Sequence, residues 1–255
     1  DAIVVFMAKK QRRLSRNERR KAEREMYHMV CILNQKFSMR KINPLTASQS
    51  DMFESYYEGY NLAAIGTAGT GKTMCAMYLA LSDVLQKGGY DKVIVIRSAV
   101  QTREQGFMPG SKTQKEAVFE APYTDIVNDL FGRGDAYQIL KSKGMLKFMT
   151  SSFVRGLTFD NAIIIVDECQ SMTYHELDTI ITRVGESSKI VFCGDTKQDD
   201  LEISRNRADV SGLAEFLRVL NRIDAFDTIT FTPDDIVRSG LVKEYIMAKE
   251  RLVAA

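Results

Sequence analysis

Tryptophan is absent from this 255-residue chain, and histidine (two), cysteine (four) and proline (four) are scarce. His28 and His175 stand alone, so no set of side chains suggests a zinc-type metal centre. Cys31, Cys75, Cys169 and Cys193 include no CxxC pair and read as reduced, small hydrophobes of a cytoplasmic protein, not as a disulfide framework. No apolar run approaches the ~18 residues that a membrane span requires. No basic stretch followed by a long apolar one marks a secretory leader. Internal repeats and low-complexity tracts are lacking too. What remains is an ordinary globular composition, 45% hydrophobic in short runs, of a length that suits one α/β domain with an extension or two small domains.

Charge is distributed unevenly. The chain nets +2, but residues 9–24 carry Lys9, Lys10, Arg12, Arg13, Arg16, Arg19, Arg20, Lys21 and Arg24 against Glu18 and Glu23, a local +7 that leaves the remainder at −5. A basic arm on a mildly acidic body points to a polyanion partner, nucleic acid before membrane. Met7 reads as a natural start, which sets Asp1 to Phe6 aside as foreign to the natural chain. Ser15 and Glu18 have capping-box spacing, and Met26, Met29, Val30, Leu33 and Phe37 recur at helical intervals, predicting a helix over 16–37. Asn43-Pro44 interrupts it, so residues 1–45 read as a basic helical arm and 46–255 as the core.

Within the core, Gly66 to Thr73 reads GTAGTGKT and fits the phosphate-binding loop pattern G-x-x-x-x-G-K-[ST], between a predicted strand (61–65) and a predicted helix (73–86). Gly66, Gly69 and Gly71 allow the backbone, with Thr67, Ala68 and Thr70, to wrap a phosphate. The following helix directs its N–H groups and dipole at the same anion. Lys72 is positioned for the β- and γ-phosphates and the Thr73 hydroxyl for Mg²⁺. Further strands are predicted at 92–96, 145–149, 162–166, 189–193 and 228–231, as continuous apolar runs such as AIIIV that suit a parallel sheet covered on both faces. Helices are predicted near 46–58, 74–87, 124–131, 135–142, 173–184, 211–221 and 241–252, giving a doubly wound, RecA-like P-loop NTPase fold, mainly parallel, with an N-terminal helical extension.

The strand 162–166 ends in Asp167-Glu168. At the carboxyl end of a strand beside a phosphate loop, Asp167 suits Mg²⁺ and Glu168 suits a water that attacks the γ-phosphate. The strand 189–193 runs into Gly194-Asp195-Thr196-Lys197-Gln198, where the Gln198 amide is a candidate γ-phosphate sensor.

The loop GTAGTGKT, the segment Asp167-Glu168-Cys169-Gln170 and GDTKQ together are similar to the first motor core of superfamily 1 helicases. From about residue 46 onward the chain more closely resembles the PhoH-like phosphate-starvation ATPases, through Arg97-Ser98-Ala99-Val100, Gly106 to Gly110, Phe153 to Thr158, Thr182 to Gly185 and Asp235 to Arg238. Cys169 replaces the Ala usual in DEAQ, and Thr67 the usual Pro. The resemblance implies ATP as the nucleotide, with Gln49 reading adenine, and coupling to RNA or single-stranded DNA. It also implies a missing half. Superfamily 1 motors close ATP against a second core that supplies arginines, and the resemblance includes no second core. A homo-oligomeric ring, a hexamer, with an arginine supplied in trans is therefore expected, Arg238 first, then Arg155, Arg183 and Arg97. Arg103, Lys112 and Lys115 are candidates to line a channel for the nucleic acid. The competing readings are a nucleotide-dependent assembly switch with no nucleic-acid substrate and a small-molecule kinase.

Overall fold

A computed structural model describes residues 37–86, 89–98, 112–195 and 212–253. Residues 16–36 of the predicted helix, residues 1–36 of the basic arm, Arg103 and Gln198 lie outside the described residues, as do the side chains of Lys112 and Lys115. The chain divides into Asp1–Arg40 and Lys41–Ala255, and the second unit carries the fold.

Six strands form one parallel sheet in the order β3-β2-β4-β5-β1-β6: β1 Asn61–Gly66, β2 Lys92–Arg97, β3 Leu146–Thr150, β4 Ala162–Asp167, β5 Lys189–Gly194 and β6 Phe226–Phe231. Helices α1 (Ala47–Tyr57), α2 (Lys72–Leu85), α3 (Lys112–Phe131), α4 (Ala136–Ser142), α5 (Tyr174–Ile181), α6 (Leu213–Leu220) and α7 (Gly240–Val253) precede, connect or follow the strands, with α3 and α4 both between β2 and β3. The central strands β4 and β5 are buried along their whole length, as their unbroken apolar runs require. One face of the sheet packs Ile94, Ile96, Ile164, Val166, Ile190 and Phe192 against Leu177 and Ile180 of α5 and Leu213, Phe216 and Leu220 of α6. Each such apolar side chain, fully buried, contributes roughly 1.5–3 kcal/mol.

The topology sets the site. In a sheet of this kind ligands bind beyond the carboxyl ends of the strands. Only β5 separates β1 from β4, so the loops that follow these two strands emerge side by side.

One helix differs from its prediction by more than a few residues. The helix predicted near 124–131 spans Lys112–Phe131 as α3 and carries Pro122 inside it. Tyr123, Val127 and Leu130 recur at helical spacing and are completely buried, and this apolar stripe outweighs the lost backbone hydrogen bond at Pro122.

The turn after β6 is tied to α1. Asp235 closes a capping box with Thr232 and accepts from Ser48 Oγ at 2.8 Å, so that Pro233–Asp235 is clamped to the first turn of α1. Burial pushes the Asp235 carboxyl up, but hydrogen bonds from the Thr232 N–H and from the Thr46, Ser48 and Thr232 hydroxyls outweigh it and hold the group below its ordinary value. A carboxyl depressed in the folded state contributes stability that is fully present above its unfolded value of about 4 and is lost as pH falls through the folded value. Asp235→Asn is therefore expected to destabilise the protein by ~1–3 kcal/mol at neutral pH. The difference between variant and parent should narrow below about pH 4, measured by chemical denaturation across that range.

Candidate functional site

Gly66 ends β1 in close contact with β6: a Cβ at Gly66 would stand 2.0 Å from the Phe231 carbonyl oxygen, which accepts the Thr67 N–H at 3.0 Å. The turn then closes on itself, with Thr70 Oγ1 donating to the Thr67 carbonyl at 3.0 Å. Gly71, at φ 84°, is the N-cap of α2 and has no side chain to occupy the N–H groups of the first turn, which leaves that end of the helix suited to an anion. Lys72 is buried; its Nζ donates to the Gly66 carbonyl at 2.8 Å and the Thr67 carbonyl at 2.7 Å, with Thr70 Oγ1 at 3.3 Å. Burial lowers its pKa, opposed by the acidic groups around it, Asp195, Asp167 and Glu168 among them.

Two neighbouring segments brace the loop. Gln49, buried on α1, donates from Nε2 to the Thr70 carbonyl at 2.9 Å, and its Oε1 accepts the Leu45 N–H at 2.8 Å. Val237 N–H donates to the Gly69 carbonyl at 3.1 Å, and Arg238 follows it so closely that a Cβ on Gly69 would lie 3.1 Å from Arg238 Cγ. Arg238 thus stands beside the phosphate loop of its own chain.

β4 brings the acids to the same place. Asp167 Oδ1 accepts from Thr73 Oγ1 at 2.9 Å, and Oδ2 accepts from the Tyr123 hydroxyl at 2.8 Å. Burial, then the charge of Glu168, raises the Asp167 pKa, and the two hydroxyls and Arg97 work against that rise. Burial, then the Asp167 charge, keeps the Tyr123 hydroxyl well above its usual titration range, so it stays a donor. The hydroxyl and carboxylate that meet at the mouth of the loop are hard oxygen donors of the kind that hold Mg²⁺, and the pair fits that ion.

Glu168 adopts left-handed backbone geometry, φ 52° and ψ 41°, a conformation that costs a non-glycine residue roughly 1–2 kcal/mol and is concentrated at functional positions. This turns its half-exposed carboxylate off the strand line. Gln170 Nε2 donates to Glu168 Oε2 at 2.6 Å, and Gln170 Oε1 accepts the Asp195 N–H at 3.0 Å, so one buried amide links the loop after β4 to the loop after β5. Arg97, from the end of β2, comes within 4.0 Å of Glu168. The remaining arginines named from sequence lie apart from this cluster: Arg155 is exposed and meets His175 at 3.1 Å, and Arg183 follows α5 with its Nε buried.

The structure therefore gathers Gly66 to Thr73, Gln49, Asp167, Glu168, Arg97 and Arg238 at one edge of the sheet. Tyr123 and Gln170 take part without having been singled out for a role from sequence. The signal for Tyr123 is the Tyr123, Val127, Leu130 stripe, hidden behind Pro122. Gln170 lies inside a recognisable motif, but only its contacts show what its amide holds.

Residues 41–250, well over half the chain, match the family model described as PhoH-like protein. A PhoH-like protein of Bacillus subtilis (strain 168) is 35% identical over 188 residues, covering 73% of this chain and 57% of the relative. A PhoH-like protein of Mycobacterium bovis is 32% identical over 213 residues, 83% of this chain and 59% of the relative. The chain thus spans less than two thirds of the length of these relatives. Among solved structures, the large terminase of a thermophilic bacteriophage in complex with ADP aligns with a TM-score of 0.48 and 14% identity over 79% of this chain and 49% of that one. With the phosphate loop, the strand-end acids and the match over residues 41–250 in hand, the chain belongs to the PhoH-like protein family.

Proposed function

We propose that this chain hydrolyses ATP with Mg²⁺ as a motor-type core and couples that hydrolysis to RNA or single-stranded DNA. The observation that carries the hydrolytic part is the arrangement of Glu168: a half-exposed carboxylate, one residue beyond the Asp167–Thr73 pair, held by Gln170 from one side and faced by Arg97 from the other. A carboxylate so placed is suited to orient and deprotonate a water. Lys72 and the loop bind phosphate oxygens, while Thr73 and Asp167 would hold Mg²⁺, which when bound neutralises charge on the phosphates. Gln198 is proposed as the γ-phosphate sensor. Gln49 is proposed as the adenine reader, since the donor and acceptor ends of its amide complement N7 and N6 and it already rests against the loop.

Nucleic-acid coupling is supported by the segment after β3, which emerges at the same sheet edge. There Phe153 and Leu157 are exposed on either side of Arg155. Exposed aromatic rings and guanidinium groups are what single-stranded nucleic acids stack on and pair with. The basic residues between 9 and 24 add to the same attraction. A ring of subunits, a hexamer, completing the site with an arginine in trans is part of the proposal. The candidates to supply it are Arg238, exposed beside the phosphate loop, then Arg155, Arg183 and Arg97.

The test is the turnover of ATP and of GTP with and without single-stranded RNA or DNA at two salt concentrations. The expected result is a preference for ATP and a stimulation by nucleic acid that fades at the higher salt. No stimulation by either polymer would favour the assembly switch. Mass in solution with a non-hydrolysable ATP analogue tests the ring, and a monomer would remove it.

A further inference from the structure

Asp167 has a hydrogen-bond partner that belongs to none of the nucleotide-binding motifs. Tyr123 sits in the middle of α3, fully buried, its ring against Phe148 of β3 with centroids 5.6 Å apart. Its hydroxyl takes Asp167 Oδ2 at 2.8 Å, on the opposite side of the carboxylate from Thr73, which takes Oδ1 at 2.9 Å. One helical turn earlier, the Phe119 ring lies 5.9 Å from the Arg97 guanidinium, and Arg97 faces Glu168. The same helix therefore touches both acids at the end of β4, Asp167 directly and Glu168 through Arg97.

The last torsion of an aspartate is broad and two-fold, so a carboxylate held at one oxygen can turn away from its task. Held at both, its plane is fixed. Carboxylates that ligate metals are generally hydrogen-bonded by an outer residue, and removal of that residue weakens the metal by roughly 10–100-fold.

We propose that Tyr123 is a positioning residue for the divalent cation: by holding Asp167 Oδ2 it aims Oδ1 at the Thr73 side, so that α3 sets the affinity of the metal–nucleotide complex. This rests on the reading of Thr73 and Asp167 as the metal-binding pair.

Tyr123→Phe keeps the ring against Phe148 and removes only the hydroxyl. The probe is Mn²⁺ in the presence of ADP, its binding followed by the loss of the free-ion electron paramagnetic resonance signal. A fluorescent ADP analogue in EDTA reports the affinity without metal. The expected result is Mn²⁺ binding weakened by roughly 10–100-fold, with the metal-free affinity for ADP close to that of the parent and the thermal midpoint lowered, because the buried Asp167 Oδ2 loses a donor. Unchanged Mn²⁺ affinity would overturn the proposal. An equal loss of metal-free ADP affinity would overturn it as well, because it would show Tyr123 shaping the loop in general. Asp167→Asn, measured in parallel, separates the two levels. If it weakens Mn²⁺ while Tyr123→Phe does not, only the positioning role fails; if neither does, the reading of the metal pair fails with it.

Discussion

Glu168→Gln is expected to bind ATP about as well as the parent chain and to hydrolyse it ~10²–10⁴-fold more slowly, the usual contribution of a positioned general base. Glutamine preserves shape and keeps a carbonyl oxygen for the Gln170 Nε2 donor, which in the parent meets Glu168 Oε2 at 2.6 Å. It removes the charge and the basicity. Glu168 is not among the groups that hold Lys72 or close the phosphate loop, so binding has no reason to fall. Equilibrium binding of a fluorescent ATP analogue beside single-turnover hydrolysis measures both arms. Hydrolysis within a few-fold of the parent would remove Glu168 from its catalytic role, and loss of binding would show that its left-handed turn supports the loop.

Gly66→Ala is expected to be severely damaging. The added Cβ would lie 2.0 Å from the Phe231 oxygen, inside the β1–β6 pairing, at a φ of 131° that side chains rarely adopt. The strands must separate or the Thr67 N–H to Phe231 bond must break. A cost on the order of 3 kcal/mol follows from forced overpacking together with backbone strain. For a chain of this size that corresponds to a fall of roughly 6–12 °C in Tm, with loss of nucleotide binding because the loop opens at its first residue. Gly59→Ala is the control: φ is 103°, but nothing lies within 4 Å of the added Cβ, so only the strain is felt. Thermal unfolding of both variants separates the clash from the backbone conformation, and equal midpoints would contradict this account.

The parts of the site that sequence reveals are those whose chemistry is local. Gly66 to Thr73 has fixed spacing because one turn must wrap one phosphate. The run from Ala162 to Asp167 is legible because a strand buried on both faces has no choice but to be apolar until it ends. Tyr123 is not legible in this way. Its role depends on a contact 44 residues away in sequence and on a helix that continues through proline. Gln49 could be read as a surface residue on an amphipathic helix, and only the placement of α1 against the loop buries it. Arg238 illustrates the limit most clearly. A stretch of sequence suggests an arginine for a phosphate site but not where it stands, and only the Val237–Gly69 hydrogen bond shows that Arg238 lies, exposed, beside the loop of its own chain.

The contacts of Lys72 bear on what kind of event nucleotide capture is. Its ammonium already has two carbonyl acceptors within 2.8 Å and a hydroxyl at 3.3 Å, all from the loop it serves. On the proposed function, arrival of a nucleotide would be a substitution at an occupied cation, neutral oxygens leaving as anionic ones come in. A neutral ligand would only trade like for like, whereas charged acceptors form hydrogen bonds roughly twice as strong. On the proposed reading the lysine would act as a threshold, favouring charged ligands over neutral molecules that fit the cradle in shape alone.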